Sequence, residues 1–252
     1  MTYTEVLQAA KGQMGPCHAC PVCNGRACGG TIPGPGAKGS GTVAIRNFDA
    51  WRNVRLNMDT IHENFEPDTS LELFGRKFKY PFFAGPVGAM TLHYGDKYND
   101  LQYNEILVAA CAAAGIAAFT GDGTNPKVME GATAAIEAGA AGIVVSNHGG
   151  RVLDDCPATE EVLADIVAAV DGRAKILVDG GIRSGNDVFK ALALGADGVL
   201  VARPFVTAVY GGGADGVAAY VEKLGAELAD TMRLCGAASL ADISRDMVRV
   251  VK

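Results

Sequence analysis

The chain has 252 residues, 49% apolar and 20% charged, enough for one large hydrophobic core and too apolar for a disordered polymer. A net charge of −6 excludes a general nucleic-acid binder, which needs a cationic face. The longest apolar run, 106–119, falls short of the roughly 20 residues of a membrane span, and the first residues lack the basic and apolar regions of a secretion signal. The expectations are a soluble, cytoplasmic α/β protein with no nucleic-acid and no membrane partner.

Residues 1–41 form an N-terminal segment that carries four of the seven cysteines. Cys17, Cys20, Cys23 and Cys28 read C-x2-C-x2-C-x4-C, and in a reducing compartment such a cluster suits a metal better than disulfides. The first three match the spacing of iron–sulfur ligands, zinc also accepts four thiolates, and thiols without a metal are the third alternative. The stretch that follows is rich in glycine, and Thr-Ile-Pro-Gly-Pro-Gly (31–36) cannot be a helix interior because proline lacks a donor and restricts its predecessor. Residues 42–80 are polar and mixed, a cover segment in which Trp51 is expected to anchor packing. His18, His62 and His93 have no spacing partners and read as surface or structural.

From 81 onward the fold signal is strong. Short apolar runs at 82–86, 116–120, 142–146, 175–179 and 198–202 read as buried parallel strands. Helical stretches at 99–114, 127–140, 158–170 and 185–194 lie between them, and this alternation implies βαβ crossovers. The stretch 135–146 resembles 191–202, two steps of about 28 residues later, close to the repeat of a TIM (β/α)8-barrel unit. Gly115, Gly139 and Gly195 are placed to end helices in a left-handed turn. Residues 206–252 read as helical, with a helix-breaking turn at Tyr210-Gly211-Gly212-Gly213 and a basic, solvated helix face at 245–252.

Three strand-end segments can carry chemistry. Ser146-Asn-His-Gly-Gly-Arg151 offers His148 as a base near neutrality and Arg151 as a carboxylate fork. Asp179-Gly-Gly-Ile-Arg-Ser-Gly185 opens a helix with glycines that let N–H groups approach an anion, and Arg183 adds a charge-assisted fork. Ala202-Arg-Pro204 repeats the pattern one unit later, as expected of the phosphate site after the last two barrel strands.

Residues 146–154, 179–197 and 202–205 resemble the FMN-dependent 2-hydroxy-acid oxidases and dehydrogenases, the group of glycolate and lactate oxidases; Ala-Gly-Pro-Val-Gly-Ala-Met (84–90) resembles them more weakly. The resemblance implies a barrel domain over 81–252 that oxidises an L-2-hydroxy acid to the 2-oxo acid. His148 would take the hydroxyl proton, Arg151 would hold the carboxylate, and hydride would pass to the flavin. Ser146 would contact the flavin and Asp179 the ribityl chain. Gly180, Gly181, Arg183, Ala202 and Arg203 would cradle the phosphate, and Pro86, Val87 and Gly88 would offer backbone groups near the ring. Ala202 stands where the family usually has glycine.

One departure is larger. Only 81–205 reads as barrel, five strands where eight are expected at about 30 residues per unit. Relative to the family, the chain passes from strand 2 to the helix before strand 6. With strands 3–5 go the family's lysine near the flavin and the acid that orients the histidine. An open sheet or a homo-oligomer that completes the wall is expected. The alternative function is a non-catalytic or electron-transfer flavin/metal-binding protein.

Overall fold

The computed structural model describes residues 1–28, 41–119 and 141–251. The predicted helix at 127–140, Gly139 and the Pro/Gly stretch 31–36 lie outside the described residues. Helix α1 (Tyr3–Ala10) begins with a capping box in which Thr2 and Glu5 satisfy each other's backbone N–H. Helix α2 (Thr42–Asn53) runs directly into β1 (Val54–Leu56). A hairpin, β2 (Leu71–Leu73) and β3 (Arg76–Phe78), precedes β4 (Phe82–Ala84). Then come α3 (Met90–Tyr94), α4 (Asp100–Ala113), β5 (Gly142–Val145), α5 (Thr159–Val170), β6 (Lys175–Val178), α6 (Gly185–Ala193), β7 (Gly198–Val201), α7 (Arg203–Cys235) and β8 (Val248–Val250).

The central sheet has the order β4-β7-β6-β5, all parallel. A parallel bridge between Ala84 and Ala118 adds the 116–119 segment outside β4. All five predicted strands are therefore in one sheet, in the cyclic order of a barrel with part of its wall missing. Strands β6 and β7 are buried almost throughout, as continuous apolar runs with helices on them should be. Among the described residues the sheet ends at β5 and at 116–119, where Val144 is 44% and Phe119 37% exposed. Gly115 and Gly195 take φ +78° and +102°, the left-handed helix ends the sequence predicts. No described helix is long and apolar enough to cross a membrane.

Two expectations for the C-terminal part are corrected. Gly211 and Gly212 lie inside α7, and only Gly213 breaks the helical conformation, at φ 54° and ψ −133°. The glycines serve a close approach: a Cβ on Gly211 would sit 2.1 Å from the Val6 carbonyl oxygen, so a side chain there would push α1 off α7. The basic end is not a helix face. Residues Arg245–Met247 form a 3-10 turn and β8 pairs antiparallel with β1, Val54 opposite Val250. The local Val-Arg-Val alternation is the strand signal there, and Val248 is buried while Arg249 is exposed.

Candidate functional site

The carboxyl ends of β5, β6 and β7 bring the three predicted loops together. Ser146 Oγ donates to Asp179 Oδ2 (2.8 Å) and accepts from the His148 N–H (3.1 Å). His148, Gly149 and Gly150 are three successive residues at positive φ, 57°, 64° and 71°. The turn is held by Asn147, whose side-chain oxygen accepts from the Gly150 N–H (3.0 Å). The residues 85–89 that follow β4, with Pro86, Val87 and Gly88, leave the same end of the sheet; Gly85 N–H bonds the Val201 carbonyl (2.9 Å). Ala202 precedes α7, and Arg203 and Pro204 begin it.

Helix α2 clasps these loops from outside. Asn47, fully buried, exchanges reciprocal amide bonds with Asn147 (2.7 and 2.8 Å) and accepts from the Thr159 N–H. Trp51 Nε1 donates to the Gly180 carbonyl (2.8 Å), and Thr159 Oγ1 donates to the Asp179 carbonyl (2.5 Å). Trp51 is the packing anchor expected of it and also a fastener of the loop after β6. The predicted role of Gly180 and Gly181 changes in emphasis. Both have positive φ, and Gly181 faces the backbone of α2, so its missing side chain admits the helix. Asn47 and Thr159 were not predicted. The available signal was an asparagine on the stripe Val43, Ala44, Asn47, Phe48, Trp51, because a polar residue on the buried face of an amphipathic helix has a partner inside.

The electrostatics point to an anion. Arg151 Nη2, Arg203 Nη1 and Asp179 Oδ1 are buried without a hydrogen-bond partner. Burial and the neighbouring Arg203 both disfavour the charge on Arg151. Burial also disfavours the charge on Arg183, with Arg203 adding repulsion while Cys23 opposes it. An anion between these guanidinium groups would relieve the repulsion and satisfy the orphaned donors. Burial likewise pushes the Asp179 carboxyl from 3.8 up to about 6, outweighing its bond from Ser146 and the attraction of His148, Arg203 and Arg183. His148, Arg151, Asp179, Ser146, Arg183 and Arg203 are thus one cluster, and the residues present fit a phosphate-bearing ligand.

The Asp179 shift gives a testable stability effect. At low pH the carboxyl is protonated in folded and unfolded chains alike. As pH rises the unfolded chain ionises first, so folding loses stability up to about pH 6 and the loss then stays constant. Asp179→Asn is expected to raise stability by about 1–3 kcal/mol above pH 7 and by close to nothing below pH 4, checked by thermal melts of the FMN-free chain across pH.

The four predicted metal ligands, Cys17, Cys20, Cys23 and Cys28, are not grouped around one point among the described residues. Cys17, Cys20, Cys23 and Cys28 line one cavity of about 460 Å³, but among the described residues no three Cys, His, Asp or Glu side chains are placed to share one ion. Two of the thiols face arginines. Arg183 Nε donates to the Cys23 carbonyl (2.6 Å) and the same side chain bonds its thiol, while Arg151 bonds the Cys28 thiol. Guanidinium groups repel a metal cation. Burial pushes the Cys17 thiol up to about 11, whereas at Cys23 burial is outweighed by Arg183, Arg203 and Arg151 and the thiol lies below its ordinary value.

A family profile for FMN-dependent dehydrogenase matches residues 35–130 and 127–250. The chain belongs to that family. The two matched stretches overlap at 127–130. Among curated members of the FMN-dependent dehydrogenases and their relatives, an L-lactate oxidase of Roseobacter sp. (strain GAI101) is 45% identical over 152 residues, 58% of this chain and 41% of that one. A 4-hydroxymandelate oxidase of Amycolatopsis orientalis is 53% identical over 117 residues, 46% and 33% of the two chains. The matches thus span less than half the length of these relatives. A solved mandelate oxidase variant superposes with a TM-score of 0.75 at 26% identity, covering 86% of this chain and 94% of that one.

Proposed function

We propose that this chain binds FMN at the carboxyl end of its sheet and oxidises a small L-2-hydroxy acid to the 2-oxo acid. The observation that carries the reading is the convergence of orphaned Arg151, Arg203 and Asp179 atoms around His148. Arg203, Arg183 and the N–H groups of Gly180, Gly181 and Ala202 hold the phosphate, Asp179 the ribityl hydroxyls, Ser146 the flavin, and Pro86, Val87 and Gly88 line the ring. FMN, when bound, supplies the hydride acceptor. Arg151 holds the substrate carboxylate, and His148, a neighbour of Asp179, takes the hydroxyl proton. The cytoplasm is the proposed location, and the exposed sheet edges favour a homo-oligomer.

A second reading, flavin binding without turnover, is favoured by the Arg151–Cys28 bond and by the absent counterparts of strands 3–5. One experiment separates them. FMN is added to the purified chain, binding is followed by flavin fluorescence, and L-lactate or glycolate is added without air. Bleaching supports the oxidase, and bleaching by dithionite alone supports the second reading. A chain that leaves FMN fluorescence unchanged overturns both. Arg203→Met is expected to weaken FMN binding about tenfold to a hundredfold, the value of a charged hydrogen bond.

A further inference from the structure

One buried hydroxyl beside Arg183 has no part in the reading above. Tyr220 of α7 is 1% exposed, and among the described residues its hydroxyl has no hydrogen-bond partner. A buried hydroxyl in that state costs free energy until an acceptor reaches it. Tyr220 lines the cavity of about 460 Å³ together with Arg183. Its ring meets the Phe205 ring edge-on, 5.0 Å between centroids, and Phe205 is two residues past Arg203. The Arg183 guanidinium is fixed there, Nε donating to the Cys23 carbonyl (2.6 Å) and Nη1 to the Ile182 carbonyl (2.5 Å). The acids of the same wall are already matched, Asp187 by Arg52 and Lys190, Glu227 by Lys223 and the Gly185 N–H. Among the described residues the cavity thus offers a fixed cation and a hydroxyl donor, and no unmatched carboxylate to repel an anion.

We propose that Tyr220 is a further phosphate-binding residue, its hydroxyl donating to a phosphate oxygen of FMN beside Arg183. The inference rests on the reading that FMN binds at these loops, and it adds a donor from a helix to those of the loops after β6 and β7. Burial and the neighbouring Tyr3 hold the hydroxyl well above its ordinary range, against the pull of Arg183, so it keeps its proton and meets an anion as a donor. A neutral donor suits the place. Arg203 already disfavours the charges of Arg151 and Arg183, and a fourth cation would add to that repulsion, whereas a hydroxyl adds a hydrogen bond without it. Tyr103 is the contrast: its hydroxyl is also buried and without a partner among the described residues, but it does not line this cavity.

The test compares FMN with riboflavin, which has the same ring and ribityl chain and no phosphate, on the full chain and on its Tyr220→Phe variant. Dissociation constants are read from flavin fluorescence. Tyr220→Phe is expected to weaken FMN about tenfold, the worth of a hydrogen bond to a charged group, and to leave riboflavin unchanged. Thermal melts of the flavin-free variant are expected to show no loss, because a hydroxyl without a partner has been removed; a merely structural role would lower them and weaken both flavins alike. The phosphorus NMR resonance of bound FMN is expected to move in Tyr220→Phe, and it decides the matter where riboflavin binds too weakly to measure. Tyr103→Phe is expected to change neither affinity. Equal weakening of both flavins overturns the proposal while FMN binding stands. So does an FMN affinity and phosphorus resonance that Tyr220→Phe leaves unchanged, or the same change in Tyr103→Phe. Failure of the unaltered chain to bind FMN overturns the underlying reading and the proposal with it.

Discussion

Gly181→Ala is expected to destabilise the chain by about 3–5 kcal/mol, combining overpacking against a backbone with a left-handed conformation for a residue that bears a Cβ. The added carbon would stand 1.9 Å from the Asn47 carbonyl oxygen and 2.4 Å from its carbonyl carbon, at φ +81°. Neither neighbour is the tip of a flexible side chain. Relief requires moving α2, and moving α2 breaks the bonds of Asn47 to Asn147 and of Trp51 to Gly180. Gly172→Ala is the control: it has a similar φ, +69°, but nothing lies within 4 Å of its Cβ position. That change is expected to cost only about 1–2 kcal/mol. Urea denaturation of both variants checks the pair, and equal losses would show that α2 does not press on the loop. A destabilisation of the larger size is a large part of a typical domain's 5–15 kcal/mol, roughly speaking, so much of the Gly181→Ala protein should be recovered insoluble.

Asp187→Ala is expected to cost a comparable amount, about 3–5 kcal/mol, because it strips one partner from a buried charged network. The Asp187 side chain is fully buried. It accepts from the backbone N–H groups of Arg183 (3.1 Å) and Ser184 (3.2 Å), pairs with Arg52, and lies 3.7 Å from the Lys190 ammonium. Lys190 is itself buried, and its other bond is to the Trp51 carbonyl (2.9 Å). Removing the carboxylate leaves that ammonium uncompensated, two loop N–H groups unpaired and α6 without its capping box. Adding Lys190→Met to Asp187→Ala is expected to recover part of the loss, since the stranded charge is gone. A double-mutant cycle by denaturant titration measures the coupling, and strict additivity would refute the account.

Much of the barrel part of the fold was legible because its signals are local. Continuous apolar runs gave β4 to β7 and the 116–119 segment, and Gly115 and Gly195 marked the helix ends. The strand-end position of His148, Asp179, Arg183 and Arg203 followed from that alternation, and the loops do converge. What was not legible depends on contacts between distant parts of the chain. Nothing local to the cysteine spacing says that Arg183 will reach the Cys23 carbonyl, and spacing alone reads as a metal motif. The three-residue strand β8 is too short to outweigh helical propensity until β1 is beside it. The triple glycine at 211–213 reads as a break because composition cannot show that α1 needs the room.

The pairing of β1 with β8 has a consequence for the order of folding. Val251 N–H bonds the Asn53 carbonyl (2.8 Å), so the last described residues fasten the foot of the helix that clamps the loops at the carboxyl end of the sheet. On a ribosome, residues 42–53 can coil early, but their seat becomes permanent only after residues 248–251 have emerged. Seating of α2 on the loops at the carboxyl end of the sheet is in this sense a late event, one that waits for residues 248–251.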